Sequence, residues 1–175
     1  EFGYKVSTFH HGVEAYKVAD LLADEGVCAA LWADWWGFKH EAYDMTIANI
    51  AIVDQARDAT GCAIVHSDSA SGIQRLNQEA AKALAAGRKA GFDISEGRAM
   101  TWITKNPAKS LGILDQTGTL EQGKDADIVI WSGNPFSIYS KAEKVFIDGA
   151  LAFDKATNFM PHTDFDIGVK EWEGK

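Results

Sequence analysis

Two runs of the chain, residues 27–32 (V-C-A-A-L-W) and 62–65 (C-A-I-V), are apolar without interruption, and the stretch between them carries helical periodicity. Successive strand residues point to opposite faces, so a strand can be apolar throughout only where both faces are covered. Residues 5–9 read as a third strand. Residues 12–24 read as a helix, with Val13, Tyr16, Val18, Leu21 and Leu22 at helical spacing and a stop near Gly26, and residues 46–57 read as another. Strands alternating with amphipathic helices predict an α/β fold with a parallel sheet.

Residues 73–90 predict a long Ala-rich helix ending at Gly91. Asp93 with Glu96 is the expected capping box of a further helix to about residue 104, which Pro107 is expected to break. From Gly118 the texture changes: residues 118–120, 126–131 and 144–147 read as short strands joined at Gly123, Gly133 and Gly149. The tail, with Met160, Pro161, His162 and Trp172, has no clear period. Glu1-Phe2-Gly3-Tyr4 reads as a helix end, a glycine cap and a strand start, as though the chain began within a domain.

The chain has 175 residues, 46% of them hydrophobic, enough to bury a core, and a formal charge of −8. Such a charge opposes binding to nucleic-acid phosphates or to an anionic membrane. No apolar run approaches the ~18 residues of a membrane span, and no basic-then-apolar leader is present, so a soluble, cytoplasmic protein is expected. Cys28 and Cys62 lie inside apolar runs without C-x-x-C spacing, which predicts two buried free thiols in a reducing compartment.

All three strand-like runs end in polar residues. The first ends in His10-His11-Gly12; strand alternation lets one histidine face the site while the other packs outward or caps a helix. The third ends in His66-Ser67-Asp68-Ser69. Asp68 reads equally as the N-cap of the next helix or as a carboxylate that ligates a metal and takes a proton from water. After the second run comes A-D-W-W-G-F-K-H-E-A, in which Trp35 and Trp36 either wall a pocket or cover the core, and Lys39 or His40 could meet a carboxylate or carbonyl. Arg75, Lys82, Arg88 and Lys89 read as a solvated helix face. Neither a complete phosphate-loop motif, G-x-G-x-x-G or G-x-x-x-x-G-K-[ST], nor a G-x-S-x-G elbow occurs.

Four segments, in order, resemble the amidohydrolase superfamily, specifically its imidazolonepropionase-related branch. Residues 10–27 (H-H-G-V-E-A-Y-K-V-A-D-L-L-A-D-E-G-V) resemble its sixth barrel strand and helix, and residues 63–69 (A-I-V-H-S-D-S) its eighth strand. Residues 104–113 (T-K-N-P-A-K-S-L-G-I) resemble the helix after the barrel, and residues 118–131 (G-T-L-E-Q-G-K-D-A-D-I-V-I-W) the return into a β-sandwich. The resemblance implies the C-terminal part of a (β/α)8 barrel, about strands six to eight, followed by strands of a small β-sandwich. The expected divisions are barrel 1–115, sandwich strands 116–155 and tail 156–175.

It further implies hydrolysis of a non-peptide C–N bond in a cyclic or linear amide of a small-molecule substrate, by water activated on a divalent metal, commonly zinc. His11 and Asp68 are then the catalytic residues and metal ligands. His66, two residues before Asp68, shares its side, and with Trp35, Trp36 and Lys39 makes the expected substrate surroundings. The family's first-strand H-x-H and fifth-strand Lys or His ligand have no counterpart here, and zinc needs three or four ligands. An isolated chain is therefore expected to bind zinc weakly and turn over nothing. Unpaired barrel edges imply self-association or pairing with an N-terminal half. Two other readings stay open: a non-catalytic fragment or assembly module, and a deaminase of a ring amidine.

Overall fold

The computed structural model describes residues 3–157. Three parallel strands, β1 (Thr8–His10), β2 (Cys28–Leu31) and β3 (Cys62–Val65), form one sheet in that order. The register places Thr8 beside Cys28 and Cys28 beside Cys62, and runs to His10 beside Ala30 beside Ile64. β2 and β3 are buried along their whole length, as their unbroken apolar sequences require, whereas β1 is largely exposed. One face of the sheet, with Ala29, Leu31, Ala63 and Val65, joins Leu22, Ile50, Val53, Leu84, Ile94 and Trp102 in the main core. Cys28, Ala30, Cys62 and Ile64 form a separate cluster, as alternation along β2 and β3 dictates.

The helices supplying that core are α1 (Ala19–Asp24), α2 (Asn49–Ala59), α3 (Leu76–Lys89) and α4 (Glu96–Met100); α5 (Lys105–Leu111) lies beside β3, where Asn106 Nδ2 donates to Ala63 O at 2.7 Å. The segment expected as a helix over residues 12–24 splits into a 3-10 turn, Ala15–Val18, and α1. Gly12 is needed at its start, since a Cβ there would sit 2.9 Å from Leu31 Cδ2. The lower end of the sheet is fixed by a buried carboxylate. Asp54, fully buried, accepts from Arg98 Nε (2.8 and 3.0 Å), Trp102 Nε1 (2.8 Å) and Gln55 Nε2 (2.6 Å). Arg98 also donates to the carbonyls of Ala59 (2.8 Å) and Gly61 (3.3 Å), tying α4 to the chain entering β3. A buried charge is tolerable only when its lone pairs are met in this way.

Several expectations are corrected. Cys28 and Cys62 are joined in a disulfide, with Cα atoms 4.5 Å apart. They are register partners on adjacent strands, a juxtaposition that their separation of 34 residues in sequence conceals. The inference of a reducing compartment from free thiols falls with them. α4 is capped by Ser95, whose Oγ accepts from the Arg98 amide at 3.1 Å, not by an Asp93–Glu96 box. Pro107 does not stop a helix but lies in the first turn of α5, where its missing N–H would have had no partner. Residues 118–120 are not a strand; this segment is held as a loop by Lys124 Nζ, which donates to Leu114 O and Thr119 Oγ1 at 2.6 Å each.

A second, antiparallel sheet holds β4 (Ile128–Trp131), β5 (Ala142–Ile147) and β6 (Ala150–Asp154) in order. The turn expected at Gly149 is the β5–β6 hairpin: Asp148 and Gly149 both take positive φ (51° and 78°), the pattern of an Asp-Gly hairpin turn. Asn77 Nδ2 donates to Pro135 O (2.6 Å) and Asn134 Nδ2 to Glu96 (3.0 and 3.1 Å), which fastens this sheet's connections to the helices. No described helix is long and apolar enough to cross a membrane. The expected tail with Met160, Pro161, His162 and Trp172 lies outside the described residues, as do Glu1 and Phe2.

Candidate metal centre

The C-terminal ends of β1 and β3 bring three side chains together. His10 is still within β1, where regular alternation would send His11 to the helix side of the sheet. His11 instead takes a left-handed backbone (φ 57°) and leaves the strand. Its ring centroid comes to 5.1 Å from that of His66 and 5.0 Å from that of Trp32. The turn that redirects it is clamped by Asn49, the buried first residue of α2. Asn49 Nδ2 donates to Gly12 O (2.9 Å) and Val13 O (3.1 Å), and its Oδ1 accepts from the Tyr16 amide (2.9 Å). Sequence reading missed Asn49; its signal is a lone amide inside the apolar stretch A-N-I-A.

At the other end, the His66 amide donates to Leu31 O at 3.1 Å and carries the β2–β3 ladder one residue further. The turn beyond is closed by serines: Ser67 Oγ accepts from the Ser69 amide and Ser69 Oγ from the Gly72 amide, both at 3.1 Å. Asp68 thus takes no part in closing this turn, and the helical segment that follows starts without a side-chain cap. The Asp68 carboxylate faces the histidines, with Oδ2 3.7 Å from His11 Nδ1 and Oδ1 3.6 Å from His66 Nδ1. One ligating atom from each of His11, His66 and Asp68 lies within 4.8 Å of the others. Those gaps exceed a hydrogen bond. Tetrahedral ligands at about 2.0–2.2 Å from a zinc ion stand roughly 3.3 Å apart; imidazole, imidazole and carboxylate are donors that suit such an ion, and here they stand wider apart than that.

His66 is the most desolvated member, and its Nε2 is buried without a hydrogen-bond partner. Burial pushes its pKa down to about 4; the positive charge of His11 and, less, of His10 acts the same way, while Asp68 opposes them. A neutral imidazole, the form that binds metal, thus prevails at neutral pH.

Trp32, 2% exposed, lies beside both histidines. Trp35 stacks on it (5.7 Å, 2°), Phe38 meets its edge (5.2 Å), and Lys39 Nζ stands 5.1 Å from its centroid while pairing with Glu41 at 2.6 Å. Of the expected substrate residues, Trp35 and Lys39 thus gather beside the cluster and His66 sits within it. Trp36 turns away, packing on Tyr43 and donating to its carbonyl at 2.9 Å.

Residues 42–159 match the amidohydrolase family. The chain belongs to that family. It is 30% identical over 159 residues to the amidohydrolase tasK of Hapsidospora irregularis, covering 88% of this chain and 15% of that protein. An imidazolonepropionase of Brucella suis is 52% identical over 40 residues, 23% of this chain and 10% of its own length. The crystal structure of an amidohydrolase from Thermotoga maritima MSB8 superposes with a TM-score of 0.72 at 33% identity, covering 85% of this chain and 37% of that one. This amidohydrolase chain therefore spans well under half the length of these relatives.

Proposed function

We propose that this chain supplies part of the active site of a metal-dependent hydrolase that cleaves a non-peptide C–N bond in a small cyclic or linear amide. The observation that carries the reading is Asp68, a carboxylate not used by its own turn and aimed at His11 across the C-terminal ends of parallel strands. A divalent cation of the zinc class, held by His11 and Asp68, would supply the charge that acidifies a water molecule. Asp68 accepts the proton of that water as it attacks the amide carbon and returns it to the departing nitrogen. Trp32, Trp35 and Phe38 present an apolar wall for the body of the substrate, and the Lys39 ammonium orients a carbonyl or carboxylate on it.

The reading includes assembly. β1 is an exposed edge of the parallel sheet, and a strand partner from a second copy or from an N-terminal half of the barrel completes the constellation.

Lactams, N-acyl amino acids and aminated heterocycles, offered to the metal-loaded and chelator-stripped full-length protein that contains these residues, test the proposal; the 175-residue chain alone is expected to be inactive. Amide hydrolysis should vanish on stripping and fall by about 10²–10⁴-fold in Asp68→Asn. Undiminished hydrolysis in that variant would refute the assignment. Ammonia release from the heterocycles alone would favour a deaminase.

A further inference from the structure

We propose that His66 is the third protein ligand of a divalent-cation site that this chain assembles by itself from His11, His66 and Asp68. The inference rests on the metal-centre reading above but goes beyond it, because the resemblance gives the chain two ligands and assigns His66 none.

The geometry favours ligation over a supporting contact. Asp68 turns one oxygen to each imidazole, at 3.7 Å from His11 Nδ1 and 3.6 Å from His66 Nδ1. Both are ion-pair distances, yet neither makes a hydrogen bond, so the three groups converge without the donor–acceptor contacts that fix such side chains elsewhere in the chain. All three ligating atoms fall within 4.8 Å, about 1.5 Å more than the roughly 3.3 Å spacing around a four-coordinate zinc. His11 and Asp68 are exposed (48% and 44%) and free to turn toward an ion, while His66 (15%) is largely buried on a backbone fixed by its ladder bond to Leu31. Three protein ligands with one open position is also the number a catalytic zinc site uses. His10 supplies the internal control: its ring lies 6.0 Å from that of His66, yet it stands outside the group of mutually close ligating atoms.

The test is metal binding by the full 175-residue chain, stripped with chelator and titrated with zinc. One zinc per chain is expected, with two imidazoles counted by X-ray absorption at the zinc edge. His66→Asn should weaken binding by more than about 100-fold, since even residues behind the ligands cost 10–100-fold, and should leave one imidazole in the absorption spectrum. His10→Ala should change neither. A wild-type spectrum with a single imidazole overturns the proposal whatever the variants do. Equal affinity in wild type and His66→Asn removes His66 from the site yet leaves His11 and Asp68 in place. No zinc binding by the folded chain sinks the self-sufficient site, while the hydrolase reading would still face its own assay.

Discussion

The two sheets of this chain are built on opposite terms. In the parallel sheet, β2 and β3 are buried at every residue, with helices on one side and the Cys28–Cys62 cluster on the other. The antiparallel sheet leaves Val129, Ile130, Ile147 and Leu151 between 42% and 55% exposed. A buried sheet fixes the positions of its strand ends, because every side chain beneath them is packed. The half-exposed sheet has no such foundation among the described residues. His11, His66 and Asp68, the proposed metal ligands, all project from the first sheet, so their placement depends on contacts that can be removed one at a time.

The strongest way to break the contrast is Asp54→Ala. It strands Arg98 and the Trp102 N–H, and breaking a buried ion pair of this kind costs about 3–5 kcal/mol. Denaturant titration should show the loss, and amide exchange should show β3 deprotected with β5 and β6 nearly unchanged. Equal loss in both sheets would mean that they form one cooperative unit.

Cys62→Ala removes the cross-strand link and should destabilise by about 2–4 kcal/mol, with reductant reproducing the effect in the wild type. If reductant alters neither the melting temperature nor exchange in β2, the bond does not hold the parallel sheet.

The smallest effect is pH-dependent. His66 is neutral in both folded and unfolded chains above its ordinary pKa of 6.5. Between 6.5 and about 4 the unfolded chain takes up a proton that the folded chain refuses, so stability falls as pH falls through that window and levels off below it. Allowing for screening of a partly exposed ring, the effect is on the order of 1–2 kcal/mol. His66→Asn should flatten this slope in urea titrations between pH 7 and 4; an unchanged slope would assign it to another group.

What the sequence made legible is local. Unbroken apolar runs specify covered parallel strands, polar residues mark their ends, and Gly149 marks a turn between two strands. Asp68 stood undecided because D-S-A-S-G offers several caps, and only the folded turn shows that Ser67 and Ser69 close it without Asp68. The same competition misplaced the cap of α4, where Ser95 lies two residues after Asp93. What stayed hidden depends on register between distant segments. The Cys28–Cys62 bond requires knowing that β2 and β3 are neighbours in phase. The role of Asn49 requires knowing that its partners are carbonyls 36 and 37 residues away. The site reading chose His11 over His10 by resemblance; alternation alone would have favoured whichever residue stayed within the strand.

The left-handed backbone at His11 narrows what can occupy that position. Most side chains resist such a conformation, while Gly, Asn, Asp and His tolerate it best. Of those four, only Asp and His also bind divalent cations well. Backbone and chemistry therefore screen the position independently, and only Asp and His pass both. A library randomised at position 11 should return a far narrower alphabet than one randomised at position 10.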